Sequence, residues 1–165
     1  DIDINRAASL AHKYRVPVFS DNIDDILKLE QVELVFIASD HATHAEYAIK
    51  AIGKGKHVYI EKPHVVSEQQ LEALYENINK NKPKVFLGFN RPASRLGQLI
   101  FNYLNGQQGS GIYNWFVVGH KLKQGHWYLN PEQGGRVLGN LCHWTDFILH
   151  LIPKDKIFLF FKKTV

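Results

Sequence analysis

The sequence predicts an α/β fold in which a doubly wound parallel sheet is followed by the beginning of an α+β domain. Up to Gly88, apolar strand-like runs alternate with stretches of helical periodicity, which is typical of parallel strands joined by helical crossovers. After Gly88 this alternation stops, and an aromatic, β-branched run and a polar loop follow. We therefore expect one domain over residues 1–90 and part of a second over residues 91–165.

The elements of the first domain follow from hydrophobic spacing and from helix-start signals. The apolar positions predict helices over residues 1–15, 21–29, 44–53 and 67–79, and strands over residues 16–19, 32–38, 57–61 and 85–88. Asn5 and the acids before it are candidate caps for the first helix. Ser67 and Gln70 have the spacing of a capping box for the fourth.

The second part of the chain begins with an amphipathic helix and ends with a strand. The spacing predicts a helix over residues 94–104, a loop over 106–111, a strand over 112–118, a polar loop over 119–133, a helix over 134–152 and a strand over 157–161.

Composition narrows the class of protein. With 45% apolar and 22% charged residues among 165, the chain can bury one substantial core. No run approaches the roughly 20 apolar residues of a membrane helix, so a soluble protein without a membrane partner is expected. The net charge of +4 comes from scattered lysines and arginines, which argues against a nucleic-acid partner.

Cysteine and methionine usage add two expectations. Cys142 is the single cysteine, so neither an intrachain disulfide nor a cysteine-based zinc cluster is expected, and a reducing, cytoplasmic setting is favoured. The chain has no methionine and no targeting segment ahead of Asp1. We expect it to begin inside a domain, after the first strand and the glycine-rich turn of a dinucleotide-binding fold.

The most informative segment is GKHVYIEKP, residues 55–63, in which a β-rich run ends in an acid, a lysine and a proline. The run places the amine of Lys62 at the C-terminal edge of a strand. Open α/β sheets bind their ligands at that edge.

The longer run IASDHATHAEYAIKAIGKGKHVYIEKP, residues 37–63, resembles the NAD(P)-dependent oxidoreductases of the glucose-fructose oxidoreductase and inositol dehydrogenase (Gfo/Idh/MocA) family. In that family a strand ending near Thr-Pro, a downstream histidine and Glu-Lys-Pro recur; Ser39 and Asp40 stand here in place of Thr-Pro. The resemblance implies a partial Rossmann-type sheet and a substrate domain. It also implies NAD or NADP as cofactor, a sugar, polyol or sugar-nucleotide substrate, and a homo-oligomer, a dimer or a tetramer.

The resemblance implies that Lys62 and His143 handle the proton of the reacting hydroxyl. His143 lies in GGRVLGNLCHWTD, residues 134–146, which is similar to the family helix that carries this histidine. Where the family commonly has an aspartate four residues before the histidine, this chain has Gly139. Asn140 or Asp146 would have to replace that carboxylate. In the polar loop, the rings of His126-Trp127-Tyr128 are expected to stack on sugar faces and their polar tips to bond hydroxyls, and Trp127 is the candidate for substrate binding.

The candidate cofactor-binding residues follow the strand ends. Asp1 would bond the adenosine ribose, with Asp3 as the competing candidate, and each acid could instead cap a helix. His44 is expected on the nicotinamide side. A metal pair of His41 and His44 is rejected, because no third ligand follows at a credible spacing and hydride transfer needs no metal. The full candidate set is Asp1, Ser39, His41, His44, Glu61, Lys62 and Arg91.

Three interpretations of function stay open at this stage. An oxidoreductase is favoured by Glu61-Lys62-Pro63 together with His143. Gly139, in place of the family aspartate, would favour a non-catalytic, sugar-responsive regulatory protein on the same fold. A structural α/β domain without a ligand is the third, and the polar, aromatic loop argues against it.

Overall fold

A computed structural model of the chain describes residues 1–107 and 111–152. Its main elements are α1 (Ile4–Tyr14), α2 (Ile23–Leu27), β1 (Leu34–Ile37), α3 (His44–Gly53), β2 (His57–Ile60), α4 (Glu68–Asn81), β3 (Val85–Leu87), α5 (Arg95–Asn105) and α6 (Cys142–Leu151). Short 3-10 turns span His41–Thr43, Trp127–Leu129 and Pro131–Gln133, and a π-helical turn spans Val137–Leu141.

The three strands form one parallel sheet in the order β1-β2-β3. Leu34 lies opposite His57, and Val58 lies opposite Val85, so the strand ends are level. Helix α3 connects β1 to β2, and α4 connects β2 to β3. This arrangement confirms the partial Rossmann-type parallel sheet that the alternating pattern predicted.

The core lies between the sheet and the helices α2, α3 and α4. Its buried members are Leu27, Ile37, Ala48, Ala51, Ile52, Val58, Ile60 and Leu74. The alanines of α3 let that helix approach the strands closely. Burial of each large aliphatic side chain stabilises the fold by about 1.5–3 kcal/mol. On the opposite face of the sheet, the ring of Phe36 stacks on that of Tyr59 with centroids 5.1 Å apart, and Phe36 is 69% exposed.

Side-chain caps explain where the helices begin. Asp3, and not Asn5, caps α1, because its carboxylate accepts from the backbone N–H groups of Asn5 and Arg6. Ser67 accepts from the N–H of Gln70, which is one half of the predicted capping box. The other half does not form, because the Gln70 amide oxygen accepts from Val66 N–H and its amide nitrogen donates to the Ala42 carbonyl.

The strands predicted over residues 16–19 and 112–118 are wrong. Neither segment has β structure, because a strand needs a hydrogen-bonded neighbour and no strand of the described residues pairs with either segment. The strand predicted over residues 157–161 lies outside the described residues. The predicted division into domains near residue 90 stays a prediction.

The helix predicted over residues 134–152 is regular only in its second half. Val137–Leu141 forms a wider π-type turn before α6 begins at Cys142. This turn changes the helical phase between residues 139 and 143, so the face predicted for residues 139, 143 and 146 is retained only for His143 and Asp146, which both lie in α6. Among the described helices, none combines the length and the apolar character needed to cross a membrane.

Candidate functional site

The C-terminal ends of β1 and β2 open into one cavity of about 260 Å³. Parallel, level strands bring the residues after β1 next to those after β2, although they are far apart in the sequence. The cavity is lined by Ala38, Ser39, Asp40, His41, His44, Glu61, Lys62, Trp127 and Tyr128. Six of the residues that the sequence singled out therefore meet here: Ser39, His41, His44, Glu61, Lys62 and Trp127.

Lys62 points from the end of β2 towards the π-helical turn. Its ammonium group donates to the carbonyl oxygen of Gly139 at 2.8 Å and contacts the hydroxyl of Tyr128 at 3.4 Å. The backbone N–H of Lys62 donates to the carboxylate of Glu61, which also accepts from the Tyr59 hydroxyl at 3.3 Å. The lysine is therefore held both at its backbone and at its amine.

His44 is buried at the start of α3, with 1% of its surface exposed. Its Nδ1 lies 2.8 Å from the carbonyl oxygen of Pro63, and its Nε2 lies 3.0 Å from that of Ser39. Either neutral tautomer donates one N–H to one of these oxygens, and the doubly protonated ring donates to both. The side chain therefore connects the segment after β1 to the segment that carries Lys62.

His41 connects the same edge to the polar loop. Its Nδ1 is 3.1 Å from the carbonyl oxygen of Gln133, whose side-chain oxygen accepts from Ala42 N–H at 3.2 Å. The ring packs edge-on against Trp127 with centroids 4.8 Å apart, and lies 5.8 Å from the ring of Tyr128. Burial is the main cause of a lowered His41 pKa, and the nearby Lys62 charge acts in the same direction.

His143 lies in the first turn of α6 and is 9% exposed. Its ring meets that of Phe89 edge-on at 6.0 Å, and no described residue bonds its Nδ1. Burial lowers the pKa of His143 to about 4, assisted by the positive charges of Arg91 and Lys62. The ring is therefore neutral near pH 7.

Arg91 lies over the ring of Trp144, with its guanidinium carbon 4.4 Å from the ring centroid. This is a cation–π arrangement. The guanidinium is close enough for its charge to lower the pKa of His143. Arg91 lines neither the cavity at the strand ends nor the larger groove described next.

A second, larger groove of about 680 Å³ continues along β1. It shares Ala38, Ser39 and Asp40 with the smaller cavity, so the two are adjacent. Asp1 lines this groove, and its carboxylate lies 3.7 Å from Arg6. Asp3 is instead used as the cap of α1, so of these two candidate acids it is Asp1 that lines the groove.

The comparisons with known proteins identify the family. The model of the oxidoreductase family with an NAD-binding Rossmann fold, Gfo/Idh/MocA, matches residues 1–89. The chain belongs to this oxidoreductase family. An inositol 2-dehydrogenase of Serratia proteamaculans is 33% identical over 165 residues, which cover 95% of the chain and 46% of that enzyme. A glucose-6-phosphate 3-dehydrogenase of Bacillus subtilis is 29% identical, with 95% and 46% covered.

Solved structures share the fold of this family member. An NAD-binding oxidoreductase from Klebsiella pneumoniae is 28% identical with a TM-score of 0.59, covering 64% of this chain and 28% of that one. The apo form of a levoglucosan dehydrogenase gives a TM-score of 0.74 at 20% identity, covering 92% and 42%. The chain thus spans less than half the length of these relatives.

The family commonly has an aspartate four residues before this histidine. Among the described residues, neither Asn140 nor Asp146 bonds His143 in its place. One Asp146 oxygen lies 3.6 Å from Nδ1 of His150, and burial raises the pKa of this carboxyl group. The group that meets Lys62 is instead the backbone carbonyl of Gly139. Asn140 follows in the π-helical turn.

Sequence reasoning did not assign a role to two groups that the fold brings to the site, the Gly139 carbonyl and the side chain of Gln133. It did assign the polar tips of the His-Trp-Tyr segment, which include the Tyr128 hydroxyl, to the substrate. A backbone carbonyl, in contrast, has no signature in the sequence. Within residues 1–107 and 111–152, no three or more histidine, cysteine, aspartate and glutamate side chains are grouped to hold a metal ion.

Proposed function

We propose that this protein is an NAD(P)-dependent oxidoreductase that acts on a hydroxyl group of a sugar, polyol or sugar nucleotide. The observation that carries the proposal is the Lys62 amine, fixed at the C-terminal edge of the sheet inside a cavity lined by histidine and aromatic side chains. Membership in an NAD-binding oxidoreductase family supports it, as do relatives named inositol 2-dehydrogenase and glucose-6-phosphate 3-dehydrogenase.

A dinucleotide is proposed to lie along the strand ends. The two adjacent cavities share residues 38–40, and Asp1 lines the larger one while Lys62 lines the smaller one, which gives the proposed path. Asp1 would bond the ribose, and Ser39, His41, His44 and Glu61 would line the nicotinamide side. When bound, the nicotinamide accepts a hydride at its C4 atom, which is chemistry that the protein does not supply. The proposal covers both NAD and NADP.

The chain's own residues position the substrate and handle its proton. Oxidation of an alcohol releases a hydride from carbon and a proton from oxygen, and both must have an acceptor. Lys62 would bond the reacting hydroxyl and assist the loss of its proton. The role of His143 as a relay for this proton is proposed on the family resemblance. Because burial lowers the pKa of His143 to about 4, the ring would pass the proton on and not retain it.

The polar loop provides a surface for the substrate ring. Trp127 is about half exposed and lies beside Tyr128 with ring centroids 4.3 Å apart, edge to face. Aromatic rings of this kind stack on the apolar faces of sugars, and polar tips bond the hydroxyls. Asn140, Asp146 and Arg91 line neither described cavity, and their contacts to substrate or cofactor are proposed on the family resemblance alone. A homo-oligomer, a dimer or a tetramer, is proposed on the family resemblance alone, and a cytoplasmic setting is proposed on the single cysteine.

A second candidate is a non-catalytic regulatory protein that binds the same ligands. The presence of Gly139 favours it, because that position carries no carboxylate to charge or orient His143. The direct contact of Lys62 with the Gly139 carbonyl argues for the enzyme, since it keeps the amine in a defined position without the carboxylate.

The deciding experiment is a fluorescence titration of the full-length protein with NADH and NADPH, followed by a panel of sugars and polyols scored for absorbance change. Lys62→Ala should abolish turnover while cofactor binding persists. Lys80→Ala, on the exposed surface of α4, is the matched control and should change neither. Tight cofactor binding without turnover on the whole panel would favour the regulatory protein, and absence of cofactor binding would refute both candidates.

A further inference from the structure

Two side chains share one backbone carbonyl at the centre of the site. The Gly139 oxygen accepts from the Lys62 ammonium at 2.8 Å and from the Tyr128 hydroxyl at 3.3 Å. The Lys62 nitrogen and the Tyr128 oxygen lie 3.4 Å apart. All three groups are partly buried, and both side chains line the cavity at the strand ends.

This close grouping depends on the absence of a side chain at position 139. A Cβ atom on Gly139 would lie 3.2 Å from Cε1 of His41 and 3.2 Å from the Tyr128 ring. Contacts this short would require both rings, or the turn itself, to shift by a few tenths of an ångström. The glycine therefore lets the π-helical turn approach the rings, and its carbonyl reaches both donors.

We propose that the Tyr128 hydroxyl and the Lys62 ammonium together bind the reacting oxygen of the substrate, which makes Tyr128 a further catalytic residue. An ammonium has three N–H donors, and the two contacts seen here use two of them. The third is available to a ligand in the cavity. Tyr128 has one O–H, and it can turn from Gly139 to the substrate because Lys62 keeps the carbonyl satisfied.

The geometry permits both donors to reach one atom. Two donor atoms 3.4 Å apart can each lie at hydrogen-bond distance, about 2.8 Å, from a single oxygen placed in the cavity. The oxygen gains negative charge as its proton leaves during oxidation, and as hydride arrives during reduction. Two fixed donors in a partly buried site stabilise that charge more than solvent does.

The ring of Tyr128 is placed independently of its hydroxyl. It packs against Trp127 at 4.3 Å and lies 5.8 Å from His41, and its backbone N–H donates to Nδ1 of His126. Tyr128→Phe therefore removes the hydroxyl and leaves the ring contacts in place. This variant separates a role in bonding the substrate oxygen from a role in packing.

The inference rests on the proposed function and is tested in the full-length protein with the substrate that gives turnover. Tyr128→Phe should lower kcat about 100-fold, the usual effect of losing one donor to a developing oxyanion. KM should change less than kcat, and the affinity for NADH or NADPH should stay the same. Tyr75→Phe, an exposed tyrosine on α4, is the matched control and should retain the wild-type kcat.

Gly139→Ala provides a second variant, because it crowds the His41 and Tyr128 rings without removing the Tyr128 hydroxyl. Its kcat should fall as well, with the affinity for cofactor retained. If Tyr128→Phe keeps kcat within threefold of wild type, the inference is wrong although the proposed function stands. If the wild-type protein turns over no sugar or polyol, the proposed function fails, and the inference fails with it.

Discussion

The ammonium of Lys62 donates to the carbonyl oxygen of Gly139 at 2.8 Å, across 77 residues of the chain. This bond joins the end of β2 to the π-helical turn that precedes α6. A charged donor to a buried carbonyl contributes more than a neutral pair does, about 1.5–3 kcal/mol. It therefore fixes the lysine and also anchors the helical segment that carries His143.

Gly139 should not tolerate a side chain. Gly139→Ala would bring Cβ within 3.2 Å of the His41 and Tyr128 rings, so we expect a loss of about 1–3 kcal/mol in the free energy of unfolding. Gly139→Asp, which introduces the residue common in the family, should lose activity for the same reason. Urea unfolding and kcat measure the two effects.

Gly53→Ala is the control for the Gly139 variants. No atom lies within 4 Å of a Cβ at Gly53, and Gly53 is the last residue of α3. The exchange should leave activity unchanged and stability the same or slightly higher. Wild-type stability in Gly139→Ala, or higher activity in Gly139→Asp, would contradict the crowding argument.

His143 should make the protein less stable as the pH falls. Its pKa is about 6.5 in the unfolded chain and about 4 in the folded protein, so the folded state favours the neutral ring. The stability that the protein gains from keeping this ring neutral is fully present above pH 6.5. It is lost as the pH falls to 4, because the unfolded chain then takes up the proton first. It amounts to at most about 3 kcal/mol. Urea unfolding at a series of pH values should show a shallower decline in His143→Gln than in wild type.

The Arg91 guanidinium should control part of the His143 titration. Its charge is the second cause of the lowered pKa of His143, after burial. Arg91→Leu should therefore raise that pKa while leaving it below the usual value for histidine. Proton or nitrogen NMR titration of the ring measures it. Arg95→Leu, at the exposed start of α5, should leave the His143 pKa unchanged, and an unchanged pKa in Arg91→Leu would disprove the coupling.

His44 should be needed for stability as well as for the site. Its two ring nitrogens contact the Ser39 and Pro63 carbonyl oxygens, and the side chain is fully buried. His44→Ala would leave a cavity and an unsatisfied carbonyl, at a cost of about 2–4 kcal/mol. Thermal or urea unfolding measures it. His12→Ala, on the exposed side of α1, is the comparison and should cost less than about 0.5 kcal/mol.

Local signals in the sequence were sufficient for most of the regular elements. The helix predicted over residues 44–53 coincides with α3, and the run of residues 32–38 contains β1. Both follow from hydrophobic spacing and from neighbours within a few residues. The strands predicted over residues 16–19 and 112–118 failed because a strand also requires a partner, which no local pattern specifies.

The grouping at the site was only partly accessible from the sequence. The strand-end rule correctly brought Ser39 and His44 next to Lys62, because the ends of parallel strands meet at one edge. Helical spacing suggested a face shared by residues 139, 143 and 146, and the π-helical turn at Val137–Leu141 alters that spacing. At this turn Gly139 lies close to the rings of His41 and Tyr128, and such tertiary contacts are not visible in the local sequence.

The sequence by itself determined the α/β alternation, the position of Lys62 at a strand end and the family resemblance, because each is written in residue types at short spacing. Only the tertiary structure decided which group meets the lysine. The partner is a backbone carbonyl 77 residues away, and every residue has one. Its selection follows from the absence of a side chain at Gly139, which lets the turn approach the rings of His41 and Tyr128 closely enough for the bond to form.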